Sequence, residues 1–519
     1  MSPDKPFRFI RGFMLDVPRL PEAPAYYRRF IDFCRDWQVN AIVLRLTDDQ
    51  GCGIRFRSHP ELLTHPDALS PDEARSLVDY AGERGVELIP EVESFGHSRC
   101  IWGAPEHAAL ADTDPAGNGA YGGLIPVHPK TRRILEDLYR ETAAIFPCRY
   151  LHGGCDEVNW GGSEMSRQAL RARSRSEIWA DHLNRLNGIA QSLDRDLIVW
   201  GDHVLKHEPA ILPLLDKRLI VMDWNYWDAS RPGAEKAARA VLDAGLRVMG
   251  APALIWCKWG PRPGAEQLAN IAAYADAYRG LDAPGNLGLV ITNWLPGRYL
   301  QNSIWDGLAF AAVAMNEGGA AAHAEAFERF VERHYSAPWS DAWADIYDSV
   351  YAMAPPRHGA VRLLPEPWAT DETLREAAGA RRPPDPAFAR LLGQLAACEG
   401  SVLRNHDAFC SFRLAVEYLE HIHWRNRVLQ RRGAGPADAA GAADVIRLIA
   451  GRDARMLKDI EEDWSRGRAM APPPEAPAAF ALTGHDHLLN TLRRAAAFSA
   501  ALAADPDRFG RLRAAGGRP

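Results

Sequence analysis

The sequence has few features of membrane-embedded or disulfide-rich proteins. It contains no uninterrupted apolar run of roughly 18 residues, so we expect no transmembrane helix. The first residues lack a basic segment followed by a long apolar run, so we expect no signal peptide either. Eight cysteines are dispersed without any Cys-x-x-Cys spacing, which is typical of reduced thiols rather than of a disulfide framework or a zinc site. These absences together predict a cytoplasmic protein.

An excess of basic residues is also missing. The 61 Lys and Arg residues are outnumbered by 67 Asp and Glu residues, which gives a formal net charge of −6. Nucleic acids and anionic membranes favour a basic face, so we expect neither as a partner. No pattern in the chain indicates a cofactor or a bound metal ion, and we expect none.

What the sequence does contain, over its first three-fifths, is an alternation of short apolar runs with amphipathic stretches. Eight strands are predicted: Phe9–Leu15, Ala41–Leu46, Glu87–Pro90, Arg149–His152, Leu197–Gly201, Leu219–Trp224, Arg247–Gly250 and Gly288–Thr292. Helices are predicted between and after them: Tyr26–Trp37, Pro71–Arg84, Pro129–Phe146, Glu177–Leu193, Gly233–Ala244, Ala265–Arg279 and Ile304–Met315. The second helix has a clear start, with Ser70 as N-cap, Pro71 in the first turn and Glu73 completing a capping box.

Eight strands alternating with helices predict an α/β fold, a (β/α)8 TIM barrel. An open doubly wound sheet is the alternative, but the glycine-rich phosphate fingerprint that often follows its first strand is absent.

From about residue 320 strand signals stop and long helical patterns follow. The predicted helices are Ala320–His334, Asp341–Met353, Pro386–Leu429, Pro436–Arg466 and His485–Ala504. We therefore divide the chain into a barrel, residues 1–320, and an all-helical C-terminal region, residues 321–519. The helical region is expected either to pack against the barrel or to mediate a homodimer. The tail Ala514–Pro519 is expected to be disordered.

Acidic and aromatic residues follow most of the predicted strands. The segment Arg149–Trp160, RYLHGGCDEVNW, is the richest: a strand leads through His152 and two glycines to the adjacent carboxylates Asp156 and Glu157. Similar residues at other strand ends are Asp16, Arg19, Asp48, Asp49, Glu91, Glu93, His97, Trp200, Asp202, Trp224, Tyr226 and Trp294. Because barrel active sites lie at the C-terminal ends of the strands, these residues predict a pocket that stacks on a sugar and protonates a leaving group.

Five segments in order resemble the family 20 glycoside hydrolases, the β-N-acetylhexosaminidases. They are Arg11–Asp16, Leu46–Gly51, Ile89–Glu91 with Phe95–His97, Pro126–Thr131, and His152–Val158. The resemblance covers about residues 8–300 and is stronger in the first half. It is closest to shorter intracellular-type members that lack an α/β domain before the barrel.

The resemblance implies a retaining exo-β-N-acetylhexosaminidase acting on terminal β-linked GlcNAc or GalNAc. In this family the substrate's acetamido oxygen attacks C1 and forms an oxazolinium-like intermediate, an exception to the rule of two catalytic carboxylates. Glu157 then corresponds to the general acid/base and Asp156 to the residue that orients the acetamido group. Asp48 and His97 correspond to the pair that supports the acid. We expect a raised pKa for Glu157 and an ionised Asp156.

The resemblance also implies a set of sugar-binding residues. Arg11 matches the arginine that grips the 3- and 4-hydroxyls. The other members are His152 of the glycine turn, the aromatic walls Trp200, Trp224 and Trp294, and Tyr226, which would donate to the acetamido oxygen.

Three departures from the family pattern leave the sugar preference open. Cys155 replaces the second glycine of His-x-Gly-Gly-Asp-Glu, and Pro296 replaces an acid that binds the outer hydroxyls, so Arg298 or Asp306 would have to serve instead. No Tyr-x-Asp is visible in residues 251–259. Three alternatives follow: a glycosidase of altered sugar specificity, a non-catalytic amino-sugar-binding barrel, and a metal-dependent hydrolase using His97, His152 and Asp156.

Overall fold

A computed structural model describes residues 9–112, 122–256, 262–353, 367–379, 388–430, 439–468 and 487–516. Its centre is a ring of eight parallel strands: β1 (Ile10–Asp16), β2 (Ala41–Arg45), β3 (Glu87–Glu91), β4 (Tyr150–His152), β5 (Asp196–Trp200), β6 (Ile220–Trp224), β7 (Arg247–Ala251) and β8 (Asn286–Asn293). Each strand pairs with the next, and β8 pairs back with β1 through Ile10–Gly288 and Phe13–Ile291. This closure confirms the predicted barrel and excludes the open doubly wound sheet.

Helices cover the outside of the ring. They are α1 (Pro24–Asp36), α2 (Pro71–Gly82), α3 (Arg99–Trp102), α4 (Pro129–Ile145), α5 (Glu164–Ala172), α6 (Arg175–Ser192), α7 (Arg231–Asp243), α8 (Ala265–Gly280) and α9 (Trp305–Glu317). The predicted start of α2 is confirmed: Ser70 Oγ accepts from Glu73 N, and Glu73 Oε2 accepts from Ser70 N at 2.8 Å. The helices α3 and α5 were not predicted, because four and nine residues are too few to show a helical period clearly.

Successive side chains of each strand point to opposite faces of the sheet. They form two hydrophobic cores, one inside the barrel and one between the barrel and the helices. Ile10 and Met14 of β1 point into the barrel with Val43 and Met222. Phe13 and Leu15 of the same strand point outward and lie beneath the helices. Inward side chains therefore fill the barrel, and only the ends of the strands are left to build a pocket.

All described elements after α9 are helical. They are α10 (Gly319–Phe330), α11 (Asp341–Met353), α12 (Asp371–Gly379), α13 (Phe388–Glu399), α14 (His406–Gln430), α15 (Ala439–Trp464), α16 (Leu488–Ala504) and α17 (Pro506–Gly516). The prediction of a single helix over Pro386–Leu429 is wrong. A turn separates α13 from α14, and in it Asn405 adopts a left-handed φ of 51°, which asparagine tolerates. The tail prediction is wrong at its start, because α17 continues to Gly516, whereas residues 517–519 lie outside the described ranges.

The helical region packs on the barrel through one buried ion pair and one partly exposed ion pair. Arg468 pairs with Glu22 at 3.1 Å, and Arg29 pairs with Asp407. Apolar contact is also continuous, since the outer core of the barrel extends to Phe412 of α14. The division at residue 320 stays a prediction. No helix within the described ranges is long and apolar enough to cross a membrane.

Candidate active site

The turn after β4 sets the geometry of the two adjacent acids. Gly154, Cys155 and Glu157 have φ values of 64°, 75° and 46°, all in the left-handed region. Such a conformation is strained for a residue with a Cβ. Cys155 is held in it because its N–H donates to Glu93 Oε2 at 3.1 Å and its thiol donates to Gly153 O. The departure at Cys155 therefore leaves the turn intact.

The loop after β3 packs directly against this turn. A Cβ at Gly96 would lie 2.0 Å from the carbonyl oxygen of Asp156, so only glycine fits there. This close approach places the next residue, His97, beside both acids. Its Nε2 lies 3.2 Å from Glu157 Oε2 and 3.9 Å from Asp156 Oδ2.

The other ring nitrogen of His97 faces the loop after β2. His97 Nδ1 lies 3.1 Å from Asp49 Oδ2 and 3.5 Å from Asp48 Oδ1. The structure thus brings the four predicted catalytic residues together, with Asp49 as a nearer partner of the histidine than Asp48. The sequence analysis placed Asp49 among the strand-end residues but assigned it no catalytic role.

The protonation pattern differs from the one expected. The hydrogen bond from His97 lowers the pKa of Glu157, whereas burial raises the pKa of Asp156 to about 6. Burial alone would lower the pKa of His97, but the charge of Asp156 and the hydrogen bonds of Asp49 and Glu157 raise it well above its usual value. The expectation of a raised Glu157 pKa is therefore wrong for this structure, because a charged imidazole lies directly against that carboxylate.

Asp156 has an unusual hydrogen-bonding environment. Its side chain is almost fully buried, yet among the described residues its Oδ1 has no hydrogen-bond partner. Buried acceptors without a partner are uncommon, and each one needs an explanation. Next to it, Asp202 accepts from the backbone N–H of Glu157 at 3.0 Å and so fixes the turn from the β5 side.

Two arginines form the base of the site between β1, β2 and β3. The guanidinium of Arg45 contacts Asp48 at 2.6 Å, Glu93 at 2.8 Å and Asp16 at 3.3 Å. Arg19 lies beside it, 3.1 Å from Asp48 and 3.2 Å from Asp16. A charged residue in an otherwise apolar strand, as in AIVLR of β2, was the sequence signal for Arg45.

The predicted role of Arg11 is wrong. Arg11 lies near the start of β1, and its Nε donates to the carbonyl oxygen of Gln38 in the turn before β2. That turn is at the N-terminal end of the barrel, opposite the acids. Arg19, eight residues later, is the arginine that the fold delivers to the site.

The predicted aromatic residues do converge. Trp200 and Trp294 have ring centroids 5.9 Å apart, and Trp294 Nε1 donates to Tyr226 Oη at 2.8 Å. Trp224 stacks on Tyr226 at 5.1 Å. Arg19 and Arg45 both lie over the Trp294 ring, at 5.4 and 5.3 Å, which joins this aromatic wall to the base of the site. Burial raises the pKa of Tyr226 far above its usual value, so its hydroxyl keeps its proton.

His152 is placed behind the wall rather than on its surface. It is fully buried, packs against Trp200 at a tilt with ring centroids 4.5 Å apart, and accepts from Gly154 N at 3.0 Å through Nδ1. Burial lowers the pKa of His152 to about 3, so the ring is neutral. Its position supports Trp200 and the glycine turn, which corrects the prediction of direct sugar contact. It also removes His152 from the proposed metal set with His97 and Asp156.

Asp306 and Arg298 were suggested to replace the acid that is missing at Pro296, and the structure shows where each of them lies. Asp306 is buried, and its Oδ2 is bound by Arg262 and, at 3.0 Å, by the hydroxyl of Tyr351. Arg298 ends the short turn Pro296–Arg298 and is half-buried. Of the stretch searched for Tyr-x-Asp, residues 257–259 lie outside the described ranges.

With this geometry established, comparison with known proteins is decisive for the family. The model of the glycosyl hydrolase family 20 catalytic domain matches residues 7–260. Residues 7–260, which contain the first seven strands of the barrel, therefore match glycoside hydrolase family 20. The assignment confirms the resemblance seen in the five sequence segments.

Curated relatives of the family 20 barrel support the same assignment. The β-hexosaminidase of Vibrio furnissii is 33% identical over 243 residues, 39% of each chain. The β-hexosaminidase subunit beta of Felis catus is 25% identical over 214 residues, 37% of this chain and 40% of that one. The chain thus spans about two-fifths of the length of these relatives. A Flavobacterium johnsoniae chitobiase structure, 18% identical with a TM-score of 0.51, covers 88% of this chain and 75% of its own, which supports the fold alone.

Proposed function

We propose that the protein is a retaining exo-β-N-acetylhexosaminidase that removes terminal β-linked GlcNAc or GalNAc with the help of the substrate's own acetamido group. The observation that carries this proposal is the unpartnered Oδ1 of buried Asp156. An acetamido N–H is a hydrogen-bond donor of the kind this oxygen lacks. Supplying the donor would also favour the ionised form of Asp156.

The proton for the leaving group is already next to Glu157. In the structure His97 is the charged partner and Glu157 the ionised one, across a 3.2 Å contact. Moving this proton from His97 Nε2 to Glu157 Oε2 produces the acid form without taking up a proton from water. Asp49 then holds the neutral ring through Nδ1. The lowered pKa of Glu157 is thus compatible with a role as general acid.

Glu157, Asp156 and Tyr226 account for the two steps of the proposed hydrolysis. The acetamido oxygen forms a bond to C1 while the glycosidic C1–O bond breaks, and the leaving oxygen takes the proton of Glu157. Ionised Asp156 stabilises the positive charge on the amide, and the hydroxyl of Tyr226 is positioned by Trp294 to donate to the acetamido oxygen. Glu157 next removes a proton from water, whose oxygen attacks C1 and opens the oxazolinium ring. Two inversions at C1 give overall retention.

A test of the reaction class compares 4-nitrophenyl N-acetyl-β-D-glucosaminide with 4-nitrophenyl β-D-glucoside. We expect turnover of the first to exceed that of the second by about 10²-fold or more in kcat/KM, because the glucoside lacks the intramolecular nucleophile and its effective molarity. Comparable turnover of both substrates would contradict participation of the acetamido group. That result would favour the altered-specificity reading, which the missing acid at Pro296 also supports.

The corrected arginine assignment gives a second prediction. Arg19→Lys should lower kcat/KM by about 10- to 100-fold, because a lysine keeps the charge but loses the forked hydrogen bonds to Asp16 and Asp48 that fix this cation in the site. Arg11→Lys is the matched control and should stay within about twofold, since Arg11 lies at the opposite end of the barrel. Steady-state kinetics of both variants, with circular dichroism as a folding check, would measure this. An equal loss in both variants would contradict the assignment.

The cytoplasmic location and the homodimer remain predictions, as does a substrate carrying a terminal N-acetylhexosamine.

A further inference from the structure

Three side chains outside the catalytic set meet on one oxygen atom. His59 and Glu61 lie between the short strands Gly51–Ile54 and Thr64–Leu69, and His107 lies in the 3-10 turn Pro105–Leu110. Glu61 Oε1 lies 2.9 Å from His59 Nδ1 and 2.7 Å from His107 Nε2. The side chain of His107 is 4% exposed, that of His59 14% and that of Glu61 26%. The cluster is therefore mostly buried but open to water on the glutamate side.

A fourth residue, Asp137, faces the second ring nitrogen of His59. Asp137 of α4 has its Oδ2 3.4 Å from His59 Nε2. An ionised carboxylate only accepts hydrogen bonds, so Asp137 requires an N–H at His59 Nε2. A cation bound by His59 Nδ1 and Glu61 Oε1 fits this arrangement, because Nε2 of the neutral ring then donates its proton to Asp137. A carboxylate behind a metal-bound histidine is a recurring outer-sphere arrangement.

We propose that His59, Glu61 and His107 bind a divalent transition-metal ion, with Zn²⁺ as the best match, and that Asp137 orients His59 from the outer sphere. Two imidazoles and one carboxylate are a ligand set that Zn²⁺ prefers over Mg²⁺ or Ca²⁺, which favour oxygen ligands. Water enters from the exposed side of Glu61 as the fourth ligand. The three ligand atoms lie within 4.8 Å of one another, so small side-chain rotations bring them to bonding distance.

The ion would join two loops that carry the proposed catalytic residues. The segment around Glu61 is bound to α3, since Leu63 N donates to Cys100 O at 3.0 Å. Helix α3 follows His97 directly, and Arg99 N donates to Asp49 Oδ1 at 3.1 Å. A metal ion linking Glu61 to His107 would therefore hold together the loops after β2 and β3. Its role is structural, and no step of the hydrolysis passes through it.

The experiment is equilibrium dialysis of the chelator-treated full-length protein against Zn²⁺, followed by metal analysis, with Co²⁺ absorption as an independent readout of the ligand geometry. We expect about one ion per chain with the three ligands in place, and a higher Tm when Zn²⁺ is added. Glu61→Gln, which keeps the size and one acceptor oxygen, and His107→Ala should both lose this ion and the Tm increase. Asp137→Asn should keep the site but weaken its affinity by about 10- to 100-fold.

The matched control is His406→Ala. His406 belongs to the other group of three metal-type ligands within the described ranges, with Glu399 and Cys410. This variant should still bind the ion at His59. Absence of bound Zn²⁺ in the wild-type protein, or the same Zn²⁺ content in wild type, Glu61→Gln and His107→Ala, would overturn the proposal. Neither result depends on hexosaminidase activity, so this test is separate from that of the proposed function.

Discussion

Replacing Glu157 by Gln is expected to reduce hydrolysis of a β-N-acetylglucosaminide with an unactivated sugar leaving group by about 10³- to 10⁴-fold, at the upper end of what general acid catalysis contributes. Glutamine has nearly the same shape and can still contact His97, but it cannot pass a proton to the leaving oxygen. The measurement is kcat/KM for a GlcNAc disaccharide with wild-type and variant protein.

Two substrates with different leaving groups distinguish loss of the proton donor from distortion of the whole pocket. A 4-nitrophenolate leaves without much protonation, so Glu157→Gln should retain more of its activity on the aryl substrate than on the disaccharide. Glu164→Gln is the matched control, because Glu164 is an exposed acid at the start of α5 and should keep wild-type rates on both. An equal loss on both substrates would indicate a distorted pocket, and full activity on the disaccharide would end the assignment of Glu157 as the acid.

The barrel and the position of the acids could be predicted because both depend on local patterns. Eight apolar runs with polar ends, separated by amphipathic stretches, leave few topologies open, and parallel strands bring their ends to one face. The alternation of side chains along β1 also argues against a sugar-binding role for Arg11. Arg11 shares its face of β1 with Phe13 and Leu15, which point outward, so its side chain could not enter the barrel.

The protonation states could not be predicted, since they depend on distances between distant segments. His97 and Glu157 are 60 residues apart in the chain, and their 3.2 Å contact decides which of them is charged. The arginine cluster has the same origin, because Arg45 meets Glu93 and Asp16 only when β1, β2 and β3 pair side by side. His152 was misassigned for a similar reason: a motif shows that a residue is near the site but not on which side of Trp200 it lies.

Asp156→Asn is expected to lower kcat by about 10³-fold on either substrate, because the neutral amide cannot stabilise the positive charge that develops on the acetamido group. KM should change much less, since the ground-state amide is neutral. Loss should therefore be similar for aryl and disaccharide substrates, in contrast to Glu157→Gln. A variant that retained more than about one-tenth of the wild-type kcat would contradict the role of Asp156.

The same variant should be more stable than the wild type at neutral pH. Burial raises the pKa of Asp156 from 3.8 to about 6, so the carboxyl stabilises the fold fully below pH 3.8, and this contribution is lost as pH rises through 6. Each pH unit in this window corresponds to about 1.4 kcal/mol, and asparagine has no ionisation to disfavour. Thermal unfolding at pH 7.5 should give Asp156→Asn the higher Tm, with the difference shrinking towards pH 4. A lower Tm for the variant at pH 7.5 would mean that ionised Asp156 stabilises the fold through His97. It would then contradict the proposal that Oδ1 of Asp156 lacks a hydrogen-bond donor until the substrate binds.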